Sequence, residues 1–332
     1  MKRFEQLRFF LPLLGFPLLL LRLEETRRGV LEGLRLCGEL LIPSLFPFSV
    51  LANTLIRMGL AAKLEDRLLV PVSFIPWAMG FLGGFPLGAQ TLAGLYREGT
   101  MDRQEAIRVS CWCGNAGAAF LIGTVGRVLG DPMLGLLLLG IQILTSLLAA
   151  LLVDLGAQVN HELRKRRDRR EEAPAAAFTG ALGDSALAMV RLCGSVCFFL
   201  GLWKALEGLL LLETWPDPVR VLVQGAMELS SGTAALGALP GKSAFVIAAG
   251  LCGWGGLCVH LQAADALCGE GLPLGPYLAG KLCQALLSGI LAFALLRLGL
   301  LGGIILSLPV ALTGIFFRNR KKRRWKIGKP VL

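Results

Sequence analysis

Residues 80–96 read GFLGGFPLGAQTLAGLY, apolar enough for a bilayer interior yet carrying helix-breaking residues at the centre. Gly83 and Gly84 admit backbone conformations that other residues avoid, and Pro86 lacks an amide donor, so a helical ladder is loosened here. Backbone freed in this way is tolerated at membrane depth only where protein or a water-filled cavity satisfies it. The stretch ends a charge-free run over 68–96, too long for one perpendicular helix and interrupted also by Pro71, Pro76, Gly80 and Gly88. The pattern predicts a broken or re-entrant helical hairpin.

The remaining sequence places this hairpin in a membrane. Of 332 residues, 55% are apolar, and several charge-free runs approach the roughly 20 residues that cross a hydrocarbon core. The expected fold class is all-α, a polytopic transmembrane helical bundle. The net charge of +11 collects in loops and tails beside apolar runs, as the positive-inside bias expects, which makes nucleic acid a poor partner. Most of the nine cysteines lie within apolar segments, where they serve as small packing residues rather than a disulfide framework. Cys252, Cys258 and His260 do not form a recognised zinc spacing, so neither a metal nor another cofactor is expected.

Along the chain, the run 9–21 resembles a signal-peptide core without an A-x-A cleavage site, and is expected to be retained as an anchor. Residues 26–39 form an amphipathic pattern suited to the interface, and 40–56 a bent membrane segment with Pro43 and Pro47 as kinks. Asn53 and Thr54 are candidates for interhelical hydrogen bonds. After a charged connector at 97–108, residues 109–126 read as one small-residue helix, and 133–153 as the cleanest crossing. In the second half an amphipathic lead-in at 178–190 precedes an apolar segment from 192. Residues 219–239 carry MELSSG, 243–264 a second glycine-rich motif, and 282–296 and 298–317 two more helices. The expected division is a first membrane half at 1–153 with its broken hairpin at 68–96, a basic linker at 154–176, a second half at 177–317 with a broken hairpin at 243–270, and a basic tail at 318–332. The charge of linker and tail puts both on the cytoplasmic side of a multi-pass plasma-membrane protein.

One fixed offset aligns GGFPLGAQ at 83–90 with GGLCVHLQ at 255–262, and carries Glu98, Gly99, Cys111 and Gly117 onto Glu270, Gly271, Cys283 and Gly289. Repeats of this kind build many secondary transporters, with substrate bound at the repeat interface by discontinuous helices. Parallel and inverted arrangements both remain compatible with the charge pattern.

These motifs together resemble a known family. LLIPSLFPF at 40–48, GFLGGFPLGAQ at 80–90, the charged connector and small-residue helix after it, MELSSG at 227–232 and GGLCVHLQ at 255–262 are similar to the sporulation integral membrane proteins of the YlbJ type, related to nucleoside-recognition Gate-domain membrane proteins. The resemblance covers most of the chain. It implies a multi-pass membrane protein of a spore-forming bacterium, made in the mother cell, needed for spore cortex formation and moving a small molecule. It also implies two paired broken-helix hairpins. CWCGNAG at 111–117 and Cys258 depart from the commoner pattern, which places any polar site there in doubt.

The candidate site follows from polar groups set in apolar segments. Glu228 is the sharpest, because a carboxylate there is costly and normally faces a cavity, a partner or a coupling ion; a helix cap near the headgroups is the alternative. Ser230 and Ser231 could line the same cavity. Gln90 and Gln262, aligned by the offset, can both donate and accept, as can Asn115, while His260 could couple protons, because the unperturbed pKa of histidine lies near physiological pH. Gly83, Gly84, Gly255 and Gly256 supply the breaks. No GxSxG, HExxH, Walker loop or catalytic carboxylate pair occurs, so enzymatic activity is not expected. The expected partners are membrane lipid, a small polar solute and, compatibly, further copies of the chain. The rival to transport is a morphogenetic membrane protein that recruits partners through its basic segments.

Overall fold

A computed structural model describes residues 15–59, 71–156 and 172–298. Every regular element among them is helical. The first 14 residues of the chain, the body of the basic linker, the expected helix at 298–317 beyond its first residue, and the basic tail lie outside the described residues, and with them the charges used to orient the protein.

After a short helical stretch at 15–21, α1, Leu23–Arg57, is a continuous helix of 35 residues. The expected interfacial helix and the bent segment after it are thus one element. A π-helical turn at Cys37–Leu41 joins them; it sits just before Pro43, which cannot donate to the ladder, so the helix widens there instead of ending. The 36-residue helix α7, Pro174–Leu209, likewise merges the expected lead-in and apolar segment. The two pack antiparallel. Gly29 and Gly33 let their backbones meet closely: a Cβ on Gly33 would stand 2.9 Å from Cys197 Cα, which is how small residues four apart serve helix pairs in lipid. Asn53 Nδ2 donates to Ser185 Oγ at 2.9 Å across this pair, whereas Thr54 bonds back to Val50 O of its own helix. At the helix end Arg57 pairs with Glu172 and Asp184, each at 2.7 Å.

Between these helices the chain breaks repeatedly. Helix α2, Phe74–Gly83, and helix α3, Leu87–Arg97, are separated at Gly84, whose φ of 73° suits only glycine. Helix α4, Arg103–Cys113, starts on Asp102, whose carboxylate accepts from Glu105 N; part of the charged connector is therefore helical. It stops at Gly114, and α5 (118–128) resumes only after Gly117. The expected single helix over 109–126 is divided because Gly80 and Gly88 press against the carbonyl oxygen of Cys113, and the backbone beyond it runs extended. Helix α6, Pro132–Gly156, is the expected uninterrupted crossing.

In the second half α8, Asp217–Met227, and α9, Leu229–Ala235, meet at the extended residue Glu228. Helices α10, Gly241–Trp254, and α11, Leu257–Gly269, flank Gly255 and Gly256, both at positive φ. The last described helix, α12, is Leu274–Leu298. It begins eight residues earlier than the sequence pattern suggested and so includes Lys281. Five spans, α1, α6, α7, α10 with α11, and α12, are long and apolar enough to cross a membrane.

Candidate functional site

The helix breaks converge. Gly84 and Gly117 are packed so tightly that a Cβ on Gly117 would lie 3.1 Å from Gly84 Cα. Phe85, between Gly84 and Pro86, sets its ring against Gly255, and a Cβ on Gly256 would stand 3.1 Å from Leu229 N, beside Glu228. Trp254 Nε1 donates to Ala226 O at 3.1 Å, tying α10 to the end of α8. Non-helical backbone from four places in the chain is thereby gathered in one region, buried in protein as membrane depth requires.

A cleft opens there, with ≈ 430 Å³ of space that includes its mouth to the outside, lined among others by Gly84, Phe85, Gly117, Glu228, Ser230 and Gln262. Apolar side chains of α1 and α7, including Leu45 and Val196, form its opposite wall. The Glu228 side chain folds forward onto the start of α9. Its two oxygens accept from Ser230 N at 3.0 Å and Ser231 N at 2.6 Å, and Ser231 Oγ donates to Glu228 O at 3.1 Å. A carboxylate 4% exposed is thus satisfied by charge-assisted bonds to the otherwise free amides of a helix start. Capping and pocket lining, posed by the sequence as alternatives, are both true of it.

The other sequence candidates separate. Gly83 closes α2, and Gly255 and Gly256 make the second break. Gln262 lines the pocket, donating to Cys258 Sγ at 3.4 Å while its Oε1 is buried with no partner. Gln90 is half-buried on α3 and is not among the pocket residues. The aligned glutamines therefore do not both line this pocket. Three residues separate α2 from α3 and two separate α10 from α11, so α3 and α11 start at non-equivalent positions. Ser231 is buried behind Ser230 and held in the cap. His260 faces away from the pocket, its ring 4.3 Å from Trp254 and 5.7 Å from Tyr277 between centroids, with neither nitrogen partnered.

Asn115 belongs to a second polar group that the sequence reading did not find, built around Lys281. This lysine is fully buried and donates to Gly114 O at 2.6 Å and Gln284 Oε1 at 2.7 Å. Gln284 Nε2 in turn donates to Asn115 Oδ1 at 3.0 Å and Gln142 Oε1 at 3.1 Å, and Gln142 Nε2 to Ala249 O at 2.9 Å. One chain of bonds so links α12, the 114–117 break, α6 and α10. Among the described residues no carboxylate lies within ion-pair distance of Lys281; the Phe85 ring, 4.9 Å away at its centroid, faces the ammonium instead. Charge inside an apolar run was the available signal, since a buried cation in a membrane helix is expensive and is kept for function. Among the described residues no group of three or more His, Cys, Asp and Glu side chains could hold a metal.

Long apolar helices enclosing buried polar side chains define a helical membrane protein. Over 222 residues the chain is 27% identical to the sporulation integral membrane protein YlbJ of Bacillus subtilis, a match covering 59% of this chain and 54% of that protein. The chain thus spans about half the length of this distant relative. No family model and no solved structure matches it.

Proposed function

We propose that this is a multi-pass membrane protein of sporulation that transports a small polar solute through a cavity between two broken-helix hairpins, and that it is not an enzyme. The observation that carries the reading is the convergence of the α2–α3 and α10–α11 breaks with Glu228 on one pocket. Unwound backbone and helix starts facing a common cavity are how secondary transporters bind cargo. The name of the relative, a sporulation integral membrane protein, supports the cellular setting, and the resemblance of the motifs extends it to spore cortex formation. The two hairpins are on this view the equivalent parts of two repeated halves.

The pocket is small and mixed in character. Its polar groups, the Glu228 carboxylate, Ser230 and the free Gln262 oxygen, stand against an apolar wall, which suits a compact solute bearing hydrogen-bond donors. Purified protein in lipid vesicles, offered pools of labelled nucleosides, amino acids and organic acids, should accumulate or exchange at least one. Glu228→Gln should abolish this while leaving the protein inserted and monodisperse. Equal uptake by wild-type and empty vesicles across all pools defeats the proposal.

A further inference from the structure

The pocket and the Lys281 cluster are neighbours divided by one side chain. Phe85 lines the pocket on one side, and its ring lies under the Lys281 ammonium on the other. Opposite the ring is Gly255, where a Cβ would stand 3.0 Å from Phe85 Cζ; any larger residue would wedge the ring. The 114–117 break passes from one compartment to the other, with Gly114 O and Asn115 bonded in the cluster and Ala116 and Gly117 lining the pocket.

Beyond the ring, polar capacity exceeds what the protein uses. Tyr277 Oη and both nitrogens of His260 are buried without partners, and the Tyr277 ring rests on Gly114 beside Lys281. Lys281 has three N–H donors, of which two find oxygen acceptors and the third has the face of Phe85. Buried polar atoms with no partner require an explanation, and here they cluster behind one aromatic ring that stands on glycine.

We propose that Phe85 is a gate: its ring closes the Glu228 pocket off from the Lys281 cluster, and the solute passes between the two when the ring swings aside. This rests on the transport reading and deepens it by naming the second half of the path. The cluster is then the inner station, where Tyr277, His260 and Lys281 gain the hydrogen bonds they lack. The missing side chain at Gly255 is what admits the ring to this position, and the attraction of the ammonium for the ring face holds it shut while the path is empty.

Two native thiols report on the two sides. Cys258 lines the pocket, whereas Cys252 is fully buried on α10 next to Gly253, where a Cβ would stand 2.9 Å from the main-chain oxygen of Gln284, a member of the Lys281 cluster. Variants of the full chain retaining only Cys258 or only Cys252, reconstituted in vesicles, are treated with a small membrane-impermeant methanethiosulfonate. Cys258 should react. Cys252 should resist with Phe85 present and react roughly tenfold faster or more in Phe85→Ala, since labelling of a buried thiol is limited by opening of the structure around it. Phe85→Leu, which keeps apolar bulk but loses the ring face, should fall between.

A Cys252 rate unaltered by either substitution while Cys258 reacts normally overturns the gate and leaves the transport reading standing. An unreactive Cys258 means that water does not reach the pocket, and the transport reading falls together with the gate. The unchanged Cys258 rate in Phe85→Ala separates gating from loss of fold; accelerated labelling of both thiols in that variant overturns the proposal.

Discussion

Lys281 donates to the main-chain oxygen of Gly114 at 2.6 Å, so the fully buried lysine of α12 is held by the place where α4 comes apart. Each explains the other. The carbonyl is free because the helix stops at Gly114, and the ammonium is tolerable because it finds that carbonyl and the Gln284 amide.

The Lys281 network should be costly to cut in the middle. Gln284→Ala removes the acceptor of Lys281 and the donor to both Asn115 and Gln142. Leaving such buried groups unpaired costs about 1–3 kcal/mol each, so thermal unfolding in detergent should shift clearly downward. Gln284→Glu, which keeps the acceptor and puts a counter-charge beside Lys281, should lose less; an undiminished midpoint in Gln284→Ala contradicts the network.

Cap and cargo roles of Glu228 are separable. Glu228→Ala leaves Ser230 N and Ser231 N unbonded at the start of α9, with an expected loss of about 0.5–2 kcal/mol. Asparagine is a strong cap residue with a shorter reach, so Glu228→Asn should recover part of that stability. Solute uptake should remain absent in both. Recovery of uptake together with stability would make Glu228 a cap alone.

Close backbone approach predicts a sharp contrast among glycines. A Cβ on Gly88 or Gly280 would be driven into the carbonyl oxygens of Cys113 and Cys111, whereas one on Gly94 meets nothing within 4 Å. Gly88→Ala and Gly280→Ala should therefore yield little monodisperse protein by size-exclusion chromatography. Gly94→Ala should be neutral or gain up to about 1 kcal/mol from helix propensity.

The ends of α3 and α11 should be capturable by a cross-link. Arg97 Nη1 lies 3.2 Å from Glu270 Oε1, and Arg103 donates to Gly271 O at 2.9 Å. With Arg97 largely exposed, the ion pair itself is worth at most about 1 kcal/mol, and Arg97→Ala should scarcely move the unfolding midpoint. Cysteines at 97 and 270 in a background free of other thiols should nevertheless be joined by a bis-methanethiosulfonate reagent with a reach of about 10 Å, as a gel shift reversed by reductant, since a direct disulfide asks for Cα atoms within about 7 Å. Failure to join would separate the ends of α3 and α11.

How much of this was legible in the sequence depends on what kind of signal each feature leaves. The breaks at 84–86 and 255–256 were plain, because glycine and proline act through the local backbone and need no partner to be read. The break at Glu228 was not expected, since a carboxylate between two apolar helices announces cost without announcing a cap. The break at 114–117 depends on Gly80 and Gly88 making room for the Cys113 carbonyl, a contact between segments that periodicity does not carry. Pro43 and Pro47 suggested kinks, yet α1 absorbs them with a π-helical turn and continues. Lys281 stands one residue before the apolar run 282–296, and periodicity alone does not tell a charge at the edge of a span from one inside it, where α12 carries it. Gln90 and Gln262 were paired by alignment, but α3 and α11 begin at different offsets from their glycines and turn those side chains to different surroundings.

The clamp of Glu228 on Ser230 and Ser231 has one more consequence. Helix α9 has seven residues, too short to persist on propagation alone, and its first turn is anchored by a single side chain that is also part of the pocket wall. A guest that draws the carboxylate toward itself must unfasten the helix it came from. On the transport reading, binding at this spot and loosening of the first turn of α9 would therefore be coupled.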